Sequence, residues 1–358
     1  MNVLHIIPTL VVGGAEKLLV DTMSIYKKEG VEAEVLVLKR VDSFLEKELL
    51  SKGVKVFFLS DVNNLYNPLL IFKLIPFLRN REIIHVHLFP TSYWVPIAKI
   101  LGLSKAKLVF TEHSTFNKRR GRFIFRFFES FIYSCYSKVI CITDATKDNL
   151  MKHLLFKNSK KFVVINNGID VSYFRSTIFE DLNLFEKDAF KIIQVSSFRK
   201  EKDQLTVIKA LASLPNDFKL VLVGEGILKD NLIALTNELG LEERVLFLGN
   251  RKDIAQLMKY SDVVVLSSNY EGFGIAALEG MATGRPTLAS DISGVKEVVG
   301  DYGILFEKGN ENQLADSILR LKENKEYYLE VAKKCQERAS RFDVSSTVRN
   351  YIKVYKEA

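Results

Sequence analysis

The sequence predicts an α/β protein built from two parallel-sheet domains that face each other across a cleft. Two observations carry that prediction. Short apolar, β-branched runs alternate with amphipathic segments along most of the chain, the pattern of a parallel sheet covered on both faces. The alternation is interrupted once, at residues 172–190, by a stretch holding Glu180, Asp181, Glu186, Lys187 and Asp188, and then restarts. At 358 residues the chain is long for one domain and comfortable for two. An N-terminal domain over residues 1–175 and a C-terminal domain over 176–342 are therefore expected, with 172–190 as the linker.

Taken in order, residues 3–7 form a buried-strand pattern that runs into Gly13-Gly14, which opens an amphipathic helix carrying Leu18, Leu19 and Met23. Strands follow at 33–38, 54–59, 83–87, 107–111, 138–143 and 161–165, with helices near 44–52 and 69–80. Asn166-Asn-Gly-Ile-Asp170 is a turn signal. The second half offers strands at 190–196, 218–223, 245–248, 263–266, 287–289 and 304–306, and helices at 203–213, 228–239 and 312–324. A tyrosine- and lysine-rich segment runs to Ala358.

The stretch 269–290 holds the densest signal. Behind the strand at 263–266, Glu271-Gly-Phe-Gly274 makes a glycine loop that permits close approach by a ligand. A short helix, 275–283, follows, and Gly284 and Pro286 stop it. Strand, loop and helix N-terminus aim backbone amides at one point, which suits phosphate. Glu271 and Glu279 flank the cradle, separated by roughly 10 Å at helical rise. Standing alone, the stretch also fits an ordinary strand–turn–helix with solvated glutamates.

Other strand ends carry related residues. Arg199 and Lys202 follow the first strand of the second half and suit a diphosphate, although a solvated charge run has the same composition. Gly224 and Gly226 follow the next strand, and Gly249-Asn-Arg251-Lys252 follows another. His113 ends a strand of the first half, where an imidazole can share a proton near neutrality. His85 and His87 compete with it, and His85 reads as a core histidine. No D-x-D, dinucleotide fingerprint, P-loop or G-x-S-x-G occurs, and no His, Cys or carboxylate cluster has metal-ligand spacing. No metal site is expected.

Composition bounds the partners. A chain 47% hydrophobic and 26% charged is a globular protein with sizeable cores. It has neither a membrane-spanning run nor a signal-peptide layout, so a cytoplasmic location is expected. Cys135, Cys141 and Cys335 are expected to be buried free thiols. Residues 1–175 carry 26 Lys+Arg against 15 Asp+Glu, and residues 176–358 carry 25 against 28. The first half therefore has a net charge of +11 and the second −3, an asymmetry that points to an anionic surface. Arg119, Arg120, Arg122 and Arg126 interleave with phenylalanines through Phe128. Either the aromatic residues meet lipid while the arginines meet anionic headgroups, or the phenylalanines pack on the sheet. The charge of this half favours a membrane surface. Nucleic acid is not expected, since no binding fold accompanies the basic residues.

These motifs resemble those of the retaining glycosyltransferases of family 4 (glycosyl transferases group 1), over nearly the whole chain. Glu271-Gly-Phe-Gly-x4-Glu279 looks like the family's E-x7-E signature, followed by Gly284-x-Pro286 and Ser293-Gly294. Gly13-Gly14-Ala-Glu16, Thr111-x-His113, Asn167-Gly-Ile-Asp170 and Gly224-Glu-Gly226 are further matches. The resemblance implies a GT-B arrangement of two Rossmann-like domains, the first for the acceptor and the second for the nucleotide sugar. It also implies that a terminal helix in 343–358 packs back on the first domain. By this similarity Glu271 would contact the donor sugar and Glu279 the ribose. Phe273, Gly274 and Ile275 would offer backbone contacts to diphosphate and sugar, and His113 would lie by the donor sugar and acceptor. Gly13, Gly14, Gly224 and Arg251 would complete the donor site, and Arg199 and Lys202 would serve the diphosphate. One departure stands out: Ser196-Ser197 replaces the family's usual Gly-Arg, while Lys202 fits its lysine and Arg199 lies shifted. The implied activity is metal-independent, retaining transfer of a hexosyl or N-acetylhexosaminyl group from a UDP- or GDP-sugar. The acceptor would be a lipid-linked saccharide or other glycan in surface polysaccharide biosynthesis, met at the inner face of a membrane. A soluble transferase for small acceptors and a non-catalytic binding protein are the alternatives.

Overall fold

Strands and helices alternate from the first residues of the computed structural model, which describes residues 1–59, 62–114, 123–154 and 159–358. The order begins β1 (Asn2–Ile7), α1 (Gly14–Lys28), β2 (Glu32–Val37), α2 (Phe44–Ser51), β3 (Val56–Phe58), α3 (Leu70–Leu78) and β4 (Ile83–His87). It continues α4 (Thr91–Leu101), β5 (Lys107–Glu112), α5 (Phe123–Ser134), β6 (Lys138–Cys141), α6 (Asp144–His153), β7 (Phe162–Val164) and α7 (Val171–Ser176). Then come β8 (Phe190–Val195), α8 (Gln204–Ala212), β9 (Phe218–Val223), α9 (Lys229–Glu238), β10 (Val245–Phe247), α10 (Ile254–Tyr260) and β11 (Val263–Leu266). The chain closes with α11 (Ile275–Ala282), β12 (Thr287–Ser290), α12 (Val295–Val299), β13 (Ile304–Phe306), α13 (Glu311–Glu323), α14 (Lys325–Ala339) and α15 (Val344–Glu357).

The chain divides into two units, residues 1–168 with 344–358, and residues 169–343. The boundary differs from the expected linker at 172–190. Ile169 makes a parallel bridge to Asp343, and its N–H donates to the Phe342 carbonyl at 3.0 Å, so the chain joins the second unit before α7 begins. Asp170 then caps α7 by accepting from the Tyr173 amide.

In the first unit the described strands run β3-β2-β1-β4-β5-β6-β7, all parallel. In the second they run β10-β9-β8-β11-β12-β13, again all parallel. Each sheet therefore reverses its winding once, between β1 and β4 and between β8 and β11. Loops part to either side at such a switch point and leave a crevice at the carboxyl ends of the strands.

Period-2 alternation sorts the first sheet's side chains onto two faces. Leu4, Ile6, Leu36, Ile84, Val86, Leu108 and Phe110 pack with Leu74, Leu78, Val95 and Ile132 of α3, α4 and α5. Val3, Ile7, Val35, Ile83 and Val109 pack with Leu19, Met23 and Tyr26 of α1 and Tyr351, Ile352 and Tyr355 of α15. The terminal helix thus lies on the sheet of the first unit. Burying those three side chains of α15 is worth about 1.5–3 kcal/mol each, gross of chain entropy. The segment after 324 reads from composition as merely tyrosine- and lysine-rich. It is helical because Asn324 caps α14 from the Tyr327 amide at 2.9 Å, while Val331, Cys335 and Ala339 give that helix a buried stripe.

Candidate active site

In the second unit the residues expected at the site collect around the β8/β11 switch point. Lys202 and Glu271 are 69 residues apart in sequence, on the loops that leave these two strands, and their side chains form an ion pair. Both are only partly exposed. The Lys202 backbone is held from beneath: its carbonyl accepts from Gln194 Nε2 at 2.9 Å and from the Ser267 hydroxyl at 3.3 Å. Ser267 also donates to the Asp203 carbonyl at 2.8 Å, across a left-handed turn at Asp203. Gln204 reaches back to the Ser196 hydroxyl and the Ser197 carbonyl. The Asn269 side chain donates to the Lys200 carbonyl at 3.0 Å, joining the two loops directly. Gln194, Ser267 and Gln204 are positioning groups that no motif announces. Their only sequence signal is a polar residue inside an apolar strand for Gln194, at a strand end for Ser267, and at a helix start for Gln204.

Glycines bring the neighbouring loops close. Gly224 has φ +135°, and a Cβ there would lie 2.1 Å from the Ser196 carbonyl oxygen. The loop after β9 therefore lies on the loop after β8, and the Phe198 amide donates to the Glu225 carbonyl at 3.0 Å. Gly294 has φ +87°, and a Cβ there would meet the carbonyl oxygens of Gly272 and Glu271 at 2.7 and 2.9 Å. It is the floor on which the Glu271-Gly272 turn rests.

Gly274, with φ +88°, caps α11, and no side chain takes the capping role. The start of α11 is thus a set of backbone amides framed by Glu271 and Lys202, a geometry suited to an anion. The Phe273 ring is buried edge-on to Phe342, with 5.8 Å between ring centres, so only its backbone can serve a ligand. Ile275 is the first residue of α11, and Glu279 is half-buried one turn further along it. Arg199 is exposed, with no ion pair among the described residues. Arg251 is committed elsewhere: its guanidinium grips Asp253 through two contacts, 2.8 and 2.6 Å.

In the first unit, Gly13 caps α1 and Gly14 is its first residue, again with no capping side chain. His113 follows β5 and is not alone. Parallel register places His5 of β1 beside His85 of β4, and His87 beside Thr111 of β5. Period 2 puts all of them, and His113, on the sheet face covered by α1 and α15. His5 Nδ1 lies 3.0 Å from His87 Nε2, and His87 Nδ1 lies 3.3 Å from His113 Nε2. His85 bonds the Tyr355 hydroxyl and the Thr111 hydroxyl, each at 2.6 Å, and Tyr355 bonds Tyr26 at 2.8 Å. Burial depresses all four imidazoles, His5 to about 3, His113 to about 4, and His85 and His87 well below their ordinary value. They are neutral at pH 7.

Spacing along the chain shows no metal-ligand cluster, but parallel register brings together residues that spacing keeps apart. The fold brings nitrogens of His5, His85 and His87 within 4.8 Å of one another. Both nitrogens of His85 are, however, already hydrogen-bonded. His85 is, as expected, a satisfied core histidine.

The phenylalanine segment divides. Arg119, Arg120 and Arg122 lie outside the described residues. On α5, Phe127 and Phe131 are 55% and 54% exposed and Phe128 is also exposed, while Ile132 and Tyr133 face the core. Packing of the phenylalanines on the sheet therefore does not describe these three. Leu101 and Leu103 at the end of α4 and Leu69 and Phe72 at α3 are exposed as well. Among the described residues no helix is long and apolar enough to cross a membrane. Cys141 and Cys335 are buried free thiols, and Cys135 is partly exposed.

Comparisons with known proteins agree with this layout. Residues 12–173 match the model of Glycosyltransferase Family 4, and residues 175–342 match that of Glycosyl transferases group 1. The chain is 30% identical, over 80% of its length and 82% of the relative's, to a protein of Campylobacter jejuni. That relative is named N-acetylgalactosamine-N,N'-diacetylbacillosaminyl-diphospho-undecaprenol 4-alpha-N-acetylgalactosaminyltransferase. The chain is also 32% identical, over 57% of its length and 55% of the relative's, to N-acetyl-alpha-D-glucosaminyl L-malate synthase of Bacillus anthracis. Anabaena HepE, crystallised with UDP and glucose, superposes with a TM-score of 0.88 at 24% identity, covering 100% of both chains.

Proposed function

The chain belongs to glycosyltransferase family 4 and has the GT-B fold, and on that premise we propose that it transfers a sugar, with retention, from a nucleotide diphosphate sugar to a hydroxyl of a lipid-linked saccharide. The second unit binds the donor and the first the acceptor. The observation that carries this reading is the meeting of Lys202 and Glu271 at a switch point beside the amides that open α11. A cation and helix amides suit the charge that grows on a departing diphosphate. Glu271 and Glu279 are then two grips on one ligand, Glu271 on the sugar and Glu279 on the ribose. Arg199, exposed and without an ion-pair partner among the described residues, adds a guanidinium to the diphosphate.

In the reaction the bond from the anomeric carbon to the diphosphate oxygen breaks, and a bond from that carbon to the acceptor oxygen forms on the same face. The acceptor proton passes to an oxygen of the leaving phosphate. His113 orients the sugars. Protein cations take the place of a divalent ion, a reading supported by the absence of any D-x-D pair in the sequence. The HepE complex with UDP and glucose supports a UDP-sugar donor.

The acceptor reading draws on the relative named for a diphospho-undecaprenol substrate and on the apolar surface of α3, α4 and α5. Exposed Phe127, Phe131, Leu103 and Phe72 in a half of net charge +11 suit the inner face of an anionic membrane. Synthesis of a surface polysaccharide follows from such an acceptor. The malate-named relative favours a second reading, a soluble transferase for a small acceptor. Screening UDP- and GDP-sugars for turnover and thermal stabilisation tests the donor. Flotation with anionic liposomes separates the two acceptor readings. Stabilisation by nucleotide without turnover of any sugar on lipid-linked or free acceptors would instead indicate a non-catalytic binding protein.

A further inference from the structure

Three of the protein's five histidines form a continuous hydrogen-bonded row, His5–His87–His113, inside the first unit. Each contact joins an Nδ1 to an Nε2. A neutral imidazole has one N–H and one bare nitrogen, so the two contacts are not independent. If His87 donates to His113 from Nδ1, its Nε2 must accept from His5. The row therefore has two ordered states, with every proton pointing one way or the other. The two outer nitrogens, His5 Nε2 and His113 Nδ1, are buried and have no partner among the described residues. In the first state His113 Nδ1 carries a proton and His5 Nε2 is bare. In the second, His5 Nε2 carries a proton deep in the sheet with nothing to receive it. Each state leaves one N–H without an acceptor among the described residues, and the cost differs by place. His5 is 1% exposed in the middle of the sheet, whereas His113 lies past the end of β5 and is only partly buried, where a bound ligand oxygen can accept from its N–H. The first state is favoured.

We propose that His87 and His5 are positioning residues that hold His113 as its Nδ1–H tautomer, so that His113 meets the sugar substrate as a hydrogen-bond donor and not as a base. The choice of ligand rests on the transferase reading; the tautomer does not. The row also explains why His113 is a poor proton acceptor. With Nδ1 already protonated and Nε2 accepting from His87, a further proton would leave an imidazolium in the row, which burial opposes. His85 is outside the row because Tyr355 and Thr111 hold both its nitrogens. Tyr355 of α15 and Thr111 of β5 thereby keep His85 from competing for His87.

Nitrogen-15 NMR of histidine-labelled protein tests this without substrate. In the wild type, His113 should show a protonated Nδ1 and a bare Nε2. His87→Leu removes the donor and should move the His113 proton to Nε2. It should also lower kcat about tenfold, the worth of one hydrogen bond, while KM for the nucleotide sugar stays within about twofold. His87→Gln supplies an amide N–H toward His113 and an amide oxygen toward His5, and should restore both the tautomer and most of kcat. This variant separates a lost hydrogen bond from a lost fold. A wild-type His113 protonated at Nε2, or a tautomer unmoved in His87→Leu, overturns the proposal. So does stoichiometric zinc in the purified protein with a histidine NMR signature of metal ligation at His5 and His87. If no nucleotide stabilises the wild type, the transferase reading fails while the tautomer assignment stands.

Discussion

The two units share one plan and bury opposite things with it. Both place their first strand mid-sheet and reverse winding beside it. In the first unit the strands at the reversal carry His5, His85 and His87 inward, under Tyr26, Tyr351 and Tyr355. In the second, β8 and β11 are apolar apart from Lys191 and Gln194, and the unit contains no histidine. Its polar groups lie on loops beyond the strands, where Lys202 and Glu271 pair. The lesson is where titratable chemistry can be kept. Imidazoles are neutral when buried and can stay within a sheet, provided they bond one another. A lysine and a glutamate that must meet a charged ligand stay at the rim, partly in water.

The broadest way to break that comparison is acid. The imidazoles of His5, His85, His87 and His113 have folded pKa values below their unfolded value near 6.5. The unfolded chain therefore binds more protons below pH 6.5, and stability falls as pH drops from there toward 4. Above pH 6.5 this contribution vanishes. With about 1.4 kcal/mol per pH unit per histidine, several histidines together remove several kcal/mol by pH 5. Trp94, the protein's only tryptophan, lies in α4 of the first unit. Urea titrations followed by its fluorescence should show the midpoint falling steeply below pH 6.5. A flat midpoint between pH 7 and 5 would contradict the buried neutral row.

Tyr351→Ala should cost the first unit about 3–5 kcal/mol, because the ring is fully buried between α15 and the sheet. The same fluorescence titration reads it, and the proposed nucleotide binding by the second unit should survive. Glu271→Gln makes the converse cut. It should lower turnover about 100-fold, about 3 kcal/mol in the barrier, while the urea midpoint moves little. Wild-type turnover in that variant would end its assignment to the donor sugar. Gly294→Ala is subtler: its Cβ would press on the Gly272 and Glu271 carbonyls at a backbone angle that favours glycine. A loss of about 1–3 kcal/mol in transition-state stabilisation is expected, with nucleotide affinity reduced. Smallest in stability, under about 0.5 kcal/mol, should be Phe127→Ser with Phe131→Ser, since both rings are exposed. Those changes should still release the protein from anionic liposomes, and retained flotation would remove α5 from the membrane reading.

How much was legible follows from the period of each signal. Every described strand was readable, because buried parallel strands are short β-branched runs with little else to resemble. The helices α4, α6, α7, α10, α12 and α14 were not read: Pro96 interrupts α4, polar and charged residues dominate α6 and α14, and α7, α10 and α12 are only 6, 7 and 5 residues long. At the site, Glu271, Gly274 and Lys202 stood out through glycine and charge at strand ends. Gln194 and Ser267, which fix Lys202, and Gln204, which ties down Ser196 and Ser197, did not, because a lone polar residue looks the same whether it is bonded or solvated.

Sequence alone determined the α/β alternation, its two halves, the glycine loops and the family, all of which rest on local pattern and short-range spacing. Only tertiary structure decided which residues become partners. His5 and His87 meet through parallel register between strands about eighty residues apart, Lys202 meets Glu271 through a reversal of winding, and Arg251 is turned to Asp253. Register and winding belong to the sheet as a whole, and no window of the chain contains them.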